Sequence, residues 1–325
     1  MEESLLRISG LSVAFRTPRG ALQALRNVSL HVGKSEIVGI IGESGCGKTT
    51  LINSIIGLLP ANAEKPSGRI VFAGQEIIGM PQAQLQRLRG ERITTIFQDP
   101  MTALNPVLSI GTQMTAIQYR RKDSAAAKRR RAVEFLKKVR MPDAEKRLDH
   151  YPHQFSGGMR QRICIAMALL TGPDLLIADE PTTALDATLE VQVIRLLREL
   201  QRDIGCSVLF ISHHLGAVAE LCERVAIMYA GEVVEQGPVR DIFRDPRHPY
   251  TRKLLECDPG RVLEPLARLP TIGGELPDLV NLPQGCIFED RCPDRFSRCR
   301  ERPPVETVRT GHEAACYKAR ELVNP

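Results

Sequence analysis

Apolar and polar positions alternate from Leu5 to Phe15 and again from Leu22 to Val32, with Thr17-Pro18-Arg19-Gly20 between the two runs. A period of two marks a strand with one buried face, and a stretch rich in turn residues marks a reversal. The chain is therefore expected to open with antiparallel strands, joined later by Arg69 to Phe72. The pattern then changes. Glu36 to Ile41 is a short apolar run that stops at a glycine loop, and Thr49 to Leu59 follows with helical spacing, which makes a strand-loop-helix unit. Ile93 to Phe97, Leu175 to Asp179 and Val208 to Ser212 read as further buried strands and predict a mostly parallel core sheet.

Between Pro106 and Gly172 the pattern is helical, clearest over Ala125 to Val139 and Arg160 to Leu170. Leu189, Val193, Leu196, Leu197 and Leu200 recur near helical spacing and are expected to pack a core. Val225 to Tyr229 and Glu232 to Glu235, divided by Ala230-Gly231, predict a closing hairpin. From about Pro238 the periodicity fades and proline, arginine and cysteine become frequent, as in an appended domain.

Composition bounds this picture. The chain has 325 residues, 43% of them apolar and 25% charged, enough to bury one large core and a smaller unit. Its apolar stretches fall well short of the roughly 20 residues that a membrane-spanning helix needs. Glu2 and Glu3 stand where a secretory signal would carry a basic group, so a cytoplasmic protein is expected. The net charge of +6 is mild. Its densest part, Lys128 to Arg131 after Arg120, Arg121 and Lys122, suits a solvated helix face better than a nucleic-acid patch. Of nine cysteines, five are scattered and four, Cys286, Cys292, Cys299 and Cys316, crowd the end.

Gly42-Glu-Ser-Gly-Cys-Gly47-Lys48-Thr49 fits a phosphate-binding loop and lies between a strand and a helix, as that chemistry requires. Glycines let backbone N–H groups converge on phosphate oxygens, and the helix N-terminus adds a favourable field. Gly42, Ser44, Gly45, Cys46, Gly47, Lys48, Thr49 and Thr50 are the expected ATP-binding residues. Lys48 is expected at the β- and γ-phosphates and the Thr49 hydroxyl on Mg²⁺. Leu175-Leu-Ile-Ala-Asp179-Glu180 is a buried strand ending in two carboxylates: Asp179 is the candidate on the metal side and Glu180 the candidate general base.

With these motifs in place, the sequence resembles the ATP-binding subunits of ABC transporters over nearly its whole length. Phe155-Ser156-Gly157-Gly158-Met159-Arg160-Gln161 resembles that family's signature motif. The resemblance implies that Ser156, Gly157 and Gly158 contact ATP held by an opposing subunit, so that a working site needs two chains. Met159 departs from the commonest family form, which has Gln or Glu there. The resemblance further implies that Gln98 links Mg²⁺ and the attacking water to the membrane-facing part. By the same resemblance, Asp186 of Ala184-Leu185-Asp186 crosses to the partner site, His213 acts as the switch histidine and Phe15 stacks on adenine. His214 stands where the family often has Asp.

Arg247-His248-Pro249-Tyr250-Thr251 and the Pro- and Cys-rich tail resemble the extension of bacterial or archaeal peptide and nickel importers, the dipeptide type above all. Four thiolates spaced as Cys286, Cys292, Cys299 and Cys316 complete either a Zn²⁺ site or a [4Fe–4S] cluster. The missing close C-x-x-C pairs and the resemblance favour the cluster.

The fold expected is therefore α/β: a P-loop ABC ATPase core with a mostly parallel sheet, an antiparallel β subdomain and an inserted helical subdomain over about 106–172. The core spans 1–238, and a small Cys-rich C-terminal domain spans 239–325. The expected cofactors are ATP and Mg²⁺ with the cluster or zinc. Expected partners are a second ABC ATPase, giving a heterodimer, two integral membrane permeases and, indirectly, an extracytoplasmic solute-binding protein. No nucleic acid is expected. The chain would work peripherally on the cytoplasmic face of the cell membrane, energising uptake of dipeptides or oligopeptides, with nickel or another small solute as the alternative. An ABC protein acting on nucleic acid would commonly carry two ATPase cassettes or a long coiled-coil insertion, which this sequence does not show. A small-molecule kinase sharing the loop would have no use for the signature and switch elements.

Overall fold

The computed structural model describes residues 4–183, 185–258, 260 and 270–321. They form two compact units. One is built mainly from Val32–Glu36 and Met80–Ile211, the other from Leu6–His31, Ile37–Gly79 and the described residues from Ser212 onward. In chain order the strands are β1 (Leu6–Thr17), β2 (Gly20–Val32), β3 (Ile37–Ile41), β4 (Ser67–Phe72), β5 (Gln75–Glu76), β6 (Ile93–Ile96), β7 (Leu175–Asp179), β8 (Ser207–Ile211), β9 (Arg224–Tyr229), β10 (Glu232–Pro238), β11 (Glu306–Arg309) and β12 (His312–Ala314).

In the first unit β6, β7 and β8 are parallel, with Ile93 opposite Leu175 and Ala178 opposite Phe210. Leu175 to Ala178 and all of β8 are buried, which is why these strands read as unbroken apolar runs rather than alternating ones. The segment between β6 and β7 is helical. Gly157–Leu170 packs against Ala125–Lys138 and against the short helix Pro100–Ala103. Helix Ala187–Ile204 buries Val193, Ile194, Leu196, Leu197 and Leu200 on one side and stops at Gly205, whose φ of +73° closes its C-terminus. The basic run lies on and before Ala125–Lys138. Arg129 pairs with Asp149 at 2.9 Å, while Arg121 and Arg131 both pair with Asp123.

In the second unit one sheet has the order β2-β1-β4-β5. The other strands run β3 parallel to β9, then β9, β10, β12 and β11 as antiparallel neighbours. The last two strands correct one expectation. The Cys-rich tail is not a separate domain: Ala314 pairs with Glu235, so the tail adds a hairpin to the strand that was expected to close the core.

The junction is buried. The Glu235 carboxylate, fully enclosed, accepts from the Arg247 N–H (2.7 Å) and the His248 N–H (3.0 Å), and it meets His312 Nε2 at 2.7 Å. A carboxylate sealed from water is tolerable only with such partners, and here they come from both ends of the tail.

Among the described residues no helix is long and apolar enough to cross a membrane.

Candidate functional site: a phosphate loop and a carboxylate strand end

β3 delivers the chain into the phosphate loop with all five residues buried. Two glycines are dictated by space. A Cβ on Gly42 would sit 2.2 Å from the Met228 carbonyl oxygen, and one on Gly47 would sit 2.7 Å from that of Ala24, with φ at +103°. The helix Lys48–Ile56 starts directly after Gly47, which points its first N–H groups into the loop. It ends at Gly57 in the left-handed conformation, short of the Leu59 that the apolar pattern suggested.

Lys48 is buried, and its Nζ donates to the carbonyls of Gly42 (2.7 Å) and Glu43 (3.1 Å), holding the ammonium across the loop. Ser44, Gly45 and Thr49 are exposed and Thr50 is half-buried, so the loop presents polar groups outward. Cys46 is buried beneath the loop, and burial pushes its thiol pKa up, so it serves as packing and not as a reactive group.

Within the same unit Phe15 is half-buried and bridges to Ala63. His213 is exposed and meets the His214 ring edge-on at 4.4 Å, while the His214 N–H donates to Ser212 Oγ.

In the other unit β7 ends at Asp179, and Glu180 turns the chain with a φ of +45°. That conformation costs a non-glycine residue on the order of 1–3 kcal/mol and persists only where the surroundings enforce it. They do so here. The Glu180 N–H donates to the Ile211 carbonyl at 2.9 Å. Its Oε2 accepts from Gln98 Nε2 at 3.0 Å and from Thr183 Oγ1 at 3.1 Å. Two residues expected to share a task from 82 positions apart are thus hydrogen-bonded directly. Sequence reasoning missed Thr183, which only geometry reveals.

Ser156 is the N-cap of Gly157–Leu170, accepting from the Met159 N–H, and Asp186 caps Ala187–Ile204, accepting from the Leu189 N–H at 3.0 Å. Gly157 has open space where a Cβ would go, whereas one on Gly158 would lie 3.0 Å from Leu189. Ala184 lies outside the described residues.

A model of the ABC transporter family matches residues 25–183, and a model of the oligopeptide/dipeptide transporter C-terminal region matches 234–299. The dipeptide transport ATP-binding protein DppD of Bacillus subtilis is 46% identical over 97% of this chain and 95% of its own length. The oligopeptide transport ATP-binding protein OppD of Salmonella typhimurium is 44% identical over 97% and 93%. The chain belongs to the ABC transporter ATP-binding family. Among solved structures of this family, the dimeric ATP-binding cassette MJ0796 bound to ADP and Pi aligns over 72% of this chain and 99% of its own, at 29% identity and a TM-score of 0.64. As a member of the ABC family, the chain is an ATPase coupled to transport. Gln98, Ser156 and Glu180, within Met80–Ile211, lie in one unit, and the loop with Lys48 lies in the other.

For this ABC ATPase the other expectation was a [4Fe–4S] cluster or Zn²⁺ on four cysteines, and the described residues do not support it. Cys286, Cys292, Cys299 and Cys316 do line one cavity, together with His248 and Asp294. That cavity is only about 20 Å³, about the room for one water molecule. Among the described residues no group of three or more His, Cys, Asp or Glu side chains is arranged to hold an ion. Burial pushes the Cys286 thiol up to about 12 and the Cys292 thiol to about 11, and raises that of Cys316. A metal binding there would have to displace the thiol protons. The donor set suits a soft metal in kind, but it is not assembled around one.

Proposed function

We propose that this chain is the ATP-hydrolysing subunit of an importer of dipeptides or oligopeptides. The observation that carries the reading is the match of both regions together, the ATPase core and the peptide-transporter C-terminal region, alongside peptide-transport relatives covered over more than nine-tenths of their length. In this reading the chain works on the cytoplasmic face of the membrane with two permeases and a second ABC ATPase, fed by an external solute-binding protein. Exposed apolar side chains on the Gln98-bearing unit, Phe97, Met101, Val107, Leu108 and Tyr119, support a protein-binding surface there.

Mg²⁺, bound with ATP, would neutralise charge on the β- and γ-phosphates, and Thr49, Asp179 and Gln98 would hold it. Lys48 moves from the loop carbonyls to phosphate oxygens, exchanging neutral acceptors for charged ones. Glu180 takes a proton from the attacking water, its carboxylate aimed by Gln98 and Thr183. His213 adds a donor to the γ-phosphate. Ser156, Gly157, Gly158 and Asp186 act on the nucleotide of the opposing subunit, and Phe15 stacks on adenine.

The test is ATP hydrolysis by the assembled complex, with its binding protein supplied with a dipeptide, a longer peptide or a nickel complex. Stimulation by a peptide is expected. Stimulation by the nickel complex alone would sink the substrate assignment while leaving the ATPase standing.

The reading extends to the tail, where the four thiols would be the ligands of a [4Fe–4S] cluster. Its support is the shared cavity and the four-sulfur donor set. Anaerobic purification followed by iron, sulfide and zinc analysis tests it. About four irons per chain are expected for such a cluster, and zinc alone, or no metal after reconstitution, removes it.

A further inference from the structure

The second residue of the phosphate loop is held by the tail. Arg291 grips the Glu43 carboxylate with both terminal nitrogens, NH1 at 2.8 Å and NH2 at 3.2 Å. Tyr250 acts on the same residue from the other side, its hydroxyl accepting from the Glu43 backbone N–H at 3.1 Å. The guanidinium has little freedom of its own. Its side chain is 5% exposed, its Nε donates to the Gly273 carbonyl, its NH2 to that of Ile272, and its NH1 reaches the Tyr229 hydroxyl. Tyr229, Tyr250 and Phe288 pack as one aromatic cluster, with ring centres 4.6–5.4 Å apart, behind these polar contacts.

We propose that Arg291 and Tyr250 are positioning residues for ATP binding, fixing the phosphate loop through Glu43 and neutralising its charge. Two physical consequences follow from the grip. A loop that recognises phosphate by converging N–H groups gains affinity when its conformation is set before the ligand arrives. A bare carboxylate within that loop would repel a polyanionic nucleotide, and a bidentate guanidinium cancels it. Arg291 also directly precedes Cys292, which lines the cavity of the four thiols, so the grip joins that cavity to the nucleotide site through adjacent residues.

The inference rests on the ATPase reading, and titration of the full-length wild-type chain with a fluorescent ATP analogue and Mg²⁺ tests that reading first. Absence of binding there would overturn the ATPase assignment itself. Given binding, Arg291→Ala is expected to weaken affinity at least about tenfold, the effect of leaving a charge unpaired, and more steeply at low salt. Tyr250→Phe, which keeps the ring and removes only the acceptor, is expected to weaken it roughly two- to tenfold, the range of one ordinary hydrogen bond. Glu43→Gln placed on Arg291→Ala removes the repelling charge and is expected to recover part of the loss. If Arg291→Ala fails to fold, Arg291→Lys, which keeps the charge and loses the fork, takes its place and is expected to weaken binding less than tenfold but measurably. Wild-type affinity in the arginine variant and in Tyr250→Phe, with only the melting temperature lowered, would overturn the proposal. So would a double variant that recovers nothing.

Discussion

Gln98 Nε2 lies 3.0 Å from Glu180 Oε2, and Thr183 Oγ1 donates to the same oxygen, so the carboxylate proposed as general base is aimed by neighbours on both sides. Glu180→Gln keeps the shape and removes the basic oxygen. General-base assistance is worth roughly 10²–10⁴-fold in rate, so turnover of the assembled complex is expected to fall by at least about a hundredfold. ATP affinity is expected to hold. Thr183→Ala, which only loosens the aim, is expected to cost far less. Near-normal turnover in Glu180→Gln would remove the assigned base.

The left-handed conformation of Glu180 sets stability against activity. At φ +45° a glycine carries no steric penalty, so Glu180→Gly relieves strain on the order of 1–3 kcal/mol, less about 1 kcal/mol for the greater freedom of glycine in the unfolded chain. The variant is expected to melt no lower than the wild type while losing ATP turnover. A clear drop in melting temperature would mean that the carboxylate's hydrogen bonds with Gln98 and Thr183 outweigh the strain.

Gly42 and Gly45 separate two reasons for glycine in the loop. A Cβ at Gly42 meets the Met228 backbone at 2.2 Å, which no side-chain rotation relieves, whereas at Gly45 it meets nothing within 4 Å and only the φ of +81° resists it. Gly42→Ala is expected to destabilise by about 3 kcal/mol or more and to abolish ATP binding, and Gly45→Ala to cost on the order of 1–2 kcal/mol. Calorimetry with and without ATP checks the order. A milder effect at Gly42 would show that the Met228 strand yields.

What the sequence made legible is what short range dictates. The glycines, Lys48 and Thr49 share one tight loop, and β3, β8 and β7 up to Ala178 are buried, so both announce themselves in a few consecutive residues. Ser156 and Asp186 were readable by kind, yet their capping of two helices rests on backbone geometry at each helix start, which a motif match does not specify. The tail was opaque for a different reason. β11 and β12 are only four and three residues long, β11 without a single buried residue, so no period betrays a hairpin, and pairing with β10 decides their place. The Arg291–Glu43 pair spans 248 positions, and nothing at either end signals the other.

His248 makes the anchoring of the tail sensitive to acid. It is buried, its Nδ1 accepts from the Tyr250 N–H at 3.1 Å, and it caps the helix Pro249–Glu256 as a neutral ring. Burial lowers its pKa from the ordinary 6.5 to about 3. Above about pH 6.5 the ring is neutral in the folded and unfolded chain alike, and no penalty arises. Below it the unfolded chain takes up a proton that the folded chain cannot, so stability falls as the pH drops from about 6.5 towards about 3. The slope from this one group reaches at most about 1.4 kcal/mol per pH unit. Asn keeps a side-chain acceptor at the cap and does not titrate. His248→Asn is therefore expected to be less stable at neutral pH, through lost packing against Phe288, yet to lose less further stability on acidification than the wild type. Denaturant unfolding of both chains across this range measures the two slopes, and equal slopes would mean that His248 takes up its proton without unfolding the site.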